Sequence, residues 1–306
     1  MSEPPRSKAS DFDPQVLRLF DQYVHGQIDR RGFLAGAARF AVGAAGAAGL
    51  LAALSPRFAA AQQVAPDDAR LSTQRLEFPS PQGYGTGLGY LARPAQAAGP
   101  LPAVLVVHEN RGLNPHIEDV TRRLALEGYI AFAPDALFPL GGYPGDEDAA
   151  RALFGQLDQA RTREDFLAAA RLLDGIEGGN GRLGVVGFCY GGGMANFLAT
   201  RLPALAAAAP FYGNAAPLED VPKIRAELLV VLAEHDERIN AGWPAYEAAL
   251  QAAGTRHALL QPPGTQHGFH NDTTPRYDEA AAREAWRRLL DLFGRTLRDG
   301  ERARDA

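Results

Sequence analysis

The chain has 306 residues, of which 46% are hydrophobic and 22% charged, and a formal net charge of -5. It is too apolar for a disordered chain and, with no long Lys/Arg run, lacks the cationic field that a nucleic-acid partner requires. Its single cysteine, Cys189, closes no intrachain disulfide, so the thiol is either buried packing or chemistry.

The first predicted element is a helix. Asp13 and Pro14 have the form of an N-cap and first helical residue, and Val16, Leu19, Phe20, Tyr23 and Val24 follow at helical spacing. That apolar stripe either docks on a folded domain or belongs to a loosely ordered extension. Arg30 and Arg31, then Gly32, Phe33 and Leu34, precede an uncharged Ala/Gly/Leu-rich stretch from Phe40 to Pro56. The pattern resembles a twin-arginine export signal, with Asp29 standing where Ser or Thr normally precedes the arginines. The uncharged run is shorter than the roughly 20 residues of a spanning helix. Ala59, Ala60 and Ala61 offer the small side chains that a signal peptidase accepts. The expectation is an export signal and N-terminal extension over residues 1–61, a cut before Gln62, and a periplasmic folded domain over 62–306. The export machinery would be a partner.

Beyond Gln62, two strand-like runs, Gln74 to Pro79 and Thr86 to Arg93, flank a Pro/Gly turn and predict an antiparallel edge hairpin. Continuous apolar runs follow at Ala103 to Val107, Tyr129 to Ala133, Leu183 to Gly187, Leu205 to Ala209 and Leu228 to Ala233. Such runs are strands buried on both faces, as in a parallel sheet covered by helices. Helical patterns cover Ile117 to Glu127, Asp148 to Ile176, Gly191 to Arg201 and Trp243 to Ala253, with a terminal helix over Asp278 to Leu297. The alternation predicts an α/β fold with a mostly parallel, doubly wound sheet and helices on both faces.

Gly187-Phe188-Cys189-Tyr190-Gly191 falls where a buried strand meets a helix and has the form of a nucleophile elbow with cysteine in the serine position. A side chain at so sharp a turn needs small neighbours two residues away on either side, so that the backbones can approach. Asp236 follows the strand over Leu228 to Ala233, and His267 follows a further strand. Nucleophile, acid and histidine thus come in the α/β-hydrolase order, each just past a strand's carboxyl end. Each also has a plainer reading: a packed core cysteine, a turn or helix-capping aspartate, a solvated loop histidine. His108, at the end of a buried strand, reads as a core histidine. A metal site from His267 and His270 has the wrong spacing for one helical face and no clear third ligand, and neither metal nor cofactor is expected.

Val107-His108-Glu109-Asn110-Arg111-Gly112-Leu113, together with the elbow, resembles the dienelactone hydrolase family over nearly all of Leu76 to Leu297. The resemblance implies an α/β-hydrolase fold, Cys189 as nucleophile, His267 as base and acid, and Asp236 as its orienting carboxylate. It further implies Glu109 as the partner governing the thiol's ionisation, and the backbone N–H groups of Tyr190 and Asn110 as the oxyanion hole. The substrate class would be a small ester or lactone, cleaved through a thioester. Family members acting on the anionic dienelactone have an arginine shortly after the triad histidine, whereas here Gly268, Phe269, His270 and Asn271 follow His267. Arg111, Arg151 and Arg276 are candidates to replace that clamp, and Phe138, Tyr143, Tyr190 and Trp243 to line a pocket. The other readings are an esterase of broader specificity on neutral substrates and a redox-responsive thiol protein.

Overall fold

The computed structural model describes residues 7–41 and 46–298; part of the uncharged run, residues 42–45, lies outside them. The predicted first helix is α1 (Pro14–Val24), capped by Asp13, whose Oδ1 accepts from Gln15 N at 2.8 Å. It is followed by α2 (Arg30–Ala37), α3 (Gly46–Leu54) and α4 (Phe58–Ala61). Val16, Leu17, Phe20 and Tyr23 of α1 pack with Phe33, Ala37, Leu51 and Leu54 into a small core of their own. Burying each large apolar side chain is worth about 1.5–3 kcal/mol, so this segment is not a loose extension. No helix among the described residues is long and apolar enough to cross a membrane.

The predicted hairpin is β1 (Leu71–Ser80) against β2 (Gly85–Pro94), and it leads into β3 (Leu101–Val107), α5 (Pro115–Leu126) and β4 (Ile130–Pro134). The long helix expected over Asp148 to Ile176 is two helices, α6 (Glu147–Phe154) and α7 (Gln159–Asp174). Gly155 ends the first, and Asp158 caps the second by accepting from Ala160 N and Arg161 N at 2.9 and 3.3 Å. The remainder is β5 (Gly179–Phe188), α8 (Tyr190–Arg201), β6 (Ala207–Phe211), β7 (Glu227–Val231), α9 (Glu237–Asn240), α10 (Trp243–Ala252), β8 (His257–Leu260) and α11 (Glu279–Phe293). The strand expected over Leu205 to Ala209 starts two residues later, where Ala207 pairs with Gly184. The terminal helix expected to reach Leu297 ends at Phe293, and a wider turn over Gly294–Arg298 follows.

The eight strands form one sheet in the order β1-β2-β4-β3-β5-β6-β7-β8, antiparallel at β1-β2-β4 and parallel from β4 to β8. The apolar runs are continuous because each strand is covered twice. Phe166 and Leu173 of α7, Leu198 of α8 and Leu250 of α10 cover one face. Ile117 and Leu124 of α5, with Leu289 and Phe293 of α11, cover the other. Parallel strands bring their carboxyl ends to one edge, and the loops after β3, β5, β7 and β8 carry Glu109, Cys189, Asp236 and His267 to it.

Candidate active site

Cys189 sits between β5 and α8 with φ 56° and ψ -110°, a strained backbone for a residue with a Cβ. The turn closes through Cys189 N donating to Phe211 O at 3.0 Å and through Gly192 N and Gly193 N donating to Cys189 O. A Cβ at Gly187 would stand 1.9 Å from Gly191 O, and one at Gly191 would stand 2.2 Å from Val107 O. The glycines on either side of the cysteine are therefore what allows β5, α8 and β3 to meet at this point. The thiol is half-buried and faces a cavity of about 340 Å³.

Asp236 opens α9, with its Oδ1 accepting from Ile239 N at 3.4 Å. Its Oδ2 lies 2.5 Å from His267 Nδ1, and both residues are buried. A ring nitrogen of His267 lies within 4.8 Å of Cys189 Sγ. Its Nε2 is buried without a hydrogen-bond partner of conventional geometry among the described residues. The third group at the sulfur comes from the N-terminal segment, since His25 Nε2 stands 3.5 Å from Sγ. The His25 and His267 rings meet edge to face with centroids 4.6 Å apart.

Burial by itself would push the Cys189 thiol up. The charge on His267 and the contact with His25 outweigh it and hold the thiol at about 6. Burial would likewise push His267 down, but the Cys189 thiolate and the hydrogen bond to Asp236 raise it to about 10. The two shifts describe one coupled pair, a thiolate beside an imidazolium. His25 is raised as well: burial opposes its charge, and hydrogen bonds to Asp21 and Cys189 favour it.

Glu109 and Asn110 line the same cavity as Cys189 and His267. The Glu109 carboxylate accepts from Asn271 Nδ2 at 3.0 Å, and among the described residues the side chain at hydrogen-bonding distance of the sulfur is His25. Tyr190 opens α8 directly after the cysteine, which leaves its main-chain N–H without an intrahelical acceptor. Its ring turns away, against Phe154. His108 is a core histidine, accepting from Ala136 N at Nε2 (3.1 Å) and facing Glu109 O through Nδ1 (2.6 Å). It thereby ties down the loop that carries Glu109 and Asn110.

Of the candidate arginines, Arg111 and Arg276 line the cavity, while Arg151 donates to Tyr23 O. Of the candidate pocket aromatics, Tyr143 lines it, and Trp243 and Tyr190 pack on the core. Phe138 lines a separate hollow. His270 is stacked between Phe188 and Trp286, and burial pushes it down to about 3. Among the described residues, His25, Cys189 and His267 bring three nitrogen and sulfur donors within 4.8 Å of one another, the spacing a soft metal ion would need. Arg238 Nη2, 3.1 Å from His25 Nε2, places a positive charge where such a cation would bind.

A strand-end cysteine elbow, an aspartate and histidine in hydrogen-bond contact, and an open pocket at the carboxyl edge of a mostly parallel sheet agree with the comparisons. The model of the Dienelactone hydrolase family matches residues 88–297. This chain belongs to the dienelactone hydrolase family. It is thus an α/β-hydrolase-fold enzyme of a carboxylic ester hydrolase family. A protein of Escherichia coli (strain K12) named "Putative carboxymethylenebutenolidase" is 32% identical over 243 residues, 74% of this chain and 88% of its own. "Putative hydrolase fragment YghX" of the same strain is 53% identical over 105 residues, 34% of this chain and 90% of its own. The crystal structure of a "Putative Dienelactone Hydrolase" from Klebsiella pneumoniae subsp. pneumoniae MGH 78578 aligns with a TM-score of 0.64 at 30% identity, covering 73% of this chain and 99% of that one. A second family model, YqhI-like, matches residues 3–42, the stretch that includes His25.

Sequence reasoning about a dienelactone hydrolase does not find His25, because the histidine lies outside the hydrolase fold, in a segment with the composition of a leader. Two local signals were present: the Asp13 cap with its apolar stripe, and Asp21 one helical turn before His25.

Proposed function

We propose that the protein hydrolyses a small ester or lactone by covalent catalysis at Cys189, with His267 carrying the proton and Asp236 holding the imidazole. The observation that carries this reading is the buried 2.5 Å contact between Asp236 and His267 beside a thiol that opens on a cavity. The thiolate attacks the carbonyl carbon, forming a C–S bond while the carbonyl electrons move onto oxygen. The main-chain N–H groups of Tyr190 and Asn110 are the proposed donors to that oxyanion, and losing one such donor typically costs about 3–4 kcal/mol of transition-state stabilisation. Collapse breaks the C–O bond, and the departing alkoxide takes the proton from the His267 imidazolium. Water then adds to the thioester, giving its proton to imidazole, and the thiolate leaves. In this scheme Glu109, held by Asn271, influences the thiol's ionisation from the cavity wall.

The volume of about 340 Å³ suits a small substrate. Arg276 is the candidate for an anionic one. It lines the cavity, and its buried Nε and Nη1 have no hydrogen-bond partner among the described residues, although Nη1 pairs loosely with Asp21 at 3.5 Å. The test is a panel of neutral aryl esters and of neutral and carboxylate-bearing lactones, with kcat/KM followed against pH. Below about 6 the sulfur gains a proton and its nucleophilicity is lost; above about 10 the imidazolium loses the proton that the alkoxide needs. The expected profile is a bell with a broad plateau between those limbs. A rise centred near the ordinary thiol value of about 8.5 would show that no thiolate–imidazolium pair forms.

Export through the arginine pair is a second proposal, independent of the chemistry. The arginine pair lies on α2, with Arg30 paired to Asp148 at 3.3 Å. The proposed cut before Gln62 would release a docked segment, in which Arg57 N donates to Thr273 O at 2.8 Å and His25 Nε2 stands 3.5 Å from Cys189 Sγ. An exported chain would therefore keep its first 61 residues. Fractionation with N-terminal sequencing checks this: periplasmic protein beginning near Met1 is expected, and protein beginning at Gln62 would refute retention.

A further inference from the structure

The N-terminal segment enters the reaction centre with one residue. Val24 O accepts from Asn110 Nδ2 at 3.0 Å and from Arg111 Nη1 at 3.2 Å, and Tyr23 O accepts from Arg151. The Tyr23 hydroxyl donates to Asp148. These contacts fix the end of α1 against the loop after β3 and against α6. The next residue, His25, is set on the sulfur. Its Nδ1 lies 2.8 Å from the main-chain Asp21 O, with Asp21 Oδ1 at 3.3 Å, which assigns the ring proton to that side and leaves Nε2 facing both Arg238 Nη2 at 3.1 Å and Sγ at 3.5 Å.

We propose that His25, held by Asp21, is a second catalytic acid–base residue on Cys189, so that the thiol is served by two imidazoles, one from the hydrolase fold and one from the N-terminal segment. The inference rests on the reading of Cys189 as the nucleophile. Ionisation breaks the S–H bond and places the proton on an imidazole. With two imidazoles at one sulfur, one carries that proton as the thiolate's counter-charge. Once the departing alkoxide has taken the imidazolium proton both rings are neutral, and His25 is a second base able to take the proton of the hydrolytic water, which forms the new C–O bond as the C–S bond breaks.

The groups facing His25 are consistent with a titrating ring. Asp21 comes from α1 itself, Arg238 from α9, Cys189 from the start of α8 and His267 from the loop after β8. Arg276 is paired to Asp21 beyond, and Glu109 stands in the shared cavity wall. The Arg238 guanidinium can donate only to an unprotonated Nε2, so protonation of His25 exchanges that partner for the thiolate. A plug that merely covers the sulfur would fill the pocket. Here the cavity remains open with α1 in place, and Phe20, Tyr23, Val24 and His25 form part of its wall.

The experiment uses the full-length chain. The rate of Cys189 alkylation by iodoacetamide is measured against pH for wild type and His25→Gln, whose amide can hydrogen-bond at the Nε2 position but does not titrate. The expected result is a thiol midpoint raised by about one pH unit, a roughly tenfold loss of thiolate below it, together with a fall in kcat at unchanged KM. Limited proteolysis checks that residues 7–41 and 46–64 stay docked. If His25→Gln loosens them, Asp21→Asn, which leaves the ring in place and weakens its hold, is expected to shift the midpoint in the same direction by less. Alkylation profiles that superimpose on wild type would overturn the assignment of His25 and leave a Cys189-dependent hydrolase standing. A shifted profile in a protein that hydrolyses nothing on the panel would remove the hydrolase and leave His25 as the group that sets the thiol.

Discussion

Replacing Cys189 with alanine is expected to lower kcat/KM on any substrate of the panel by at least about 10⁴-fold, with no loss of thermal stability. The loss is large because no neighbouring group can replace the sulfur. His25 and His267 stand within reach of it, but neither imidazole is placed to form a stable acyl intermediate in its stead. The stability half of the expectation comes from the backbone. At φ 56° and ψ -110°, the Cβ of residue 189 is strained whether the side chain is cysteine or alanine, so alanine keeps that cost, whereas glycine relieves it. Cys189→Gly should therefore be inactive and more stable than Cys189→Ala, by about 1 kcal/mol. Calorimetry on the pair, beside steady-state rates, separates a functional residue held under strain from a packed core cysteine. A core role predicts the reverse order, because glycine leaves the larger void. Turnover that survives in either variant would remove Cys189 from the chemistry.

The strands were legible from sequence because the sheet is covered on both faces, and uninterrupted runs such as Val104 to Val107 and Leu228 to Val231 are the physical consequence. The loops bearing Glu109, Cys189 and Asp236 were legible for a related reason: each directly follows such a run, and parallel strands deliver their ends to one edge, whereas β8 ahead of His267 is only partly covered. The break between α6 and α7 was not. Apolar residues continue at helical spacing through Ala150, Leu153, Leu157 and Ala160, so periodicity alone carries the helix across Gly155, and only the Asp158 cap marks the restart. The role of the first 64 residues was illegible in a deeper sense. An Ala-rich, weakly amphipathic stretch behind two arginines has the same composition whether it leaves the chain or folds back. What positions the segment on the domain is tertiary: the Val24 carbonyl gripped by Asn110 and Arg111, and the Arg57 N–H donated to Thr273 O. Partners more than eighty residues apart leave no local trace.

Asp236→Asn is expected to lower kcat/KM by about 10³–10⁴-fold, with KM nearly unchanged, and the reason is that the aspartate has two duties that an amide cannot perform at once. Oδ1 accepts from Ile239 N at the start of α9, and Oδ2 faces His267 Nδ1 at 2.5 Å. A carboxylate has an acceptor for each. An asparagine has one oxygen and one NH₂. If the oxygen stays with Ile239, the NH₂ points at Nδ1, which must then be unprotonated, and the ring proton moves to Nε2. That tautomer has no lone pair for the thiol's proton. If the amide flips to keep His267 in its working form, two N–H groups oppose each other at the helix start, and the unmet donor costs roughly 1–3 kcal/mol of stability. Either way His267 loses the negative charge that helps to raise it, so the alkaline limb near 10 moves down and the plateau narrows. A helix-capping aspartate with no catalytic role predicts only a stability loss of about 1 kcal/mol and an unshifted pH profile. Measuring kcat/KM from pH 5 to 10 together with Tm separates the two, and a rate within tenfold of wild type with an intact alkaline limb would end the case for Asp236 as the partner of His267.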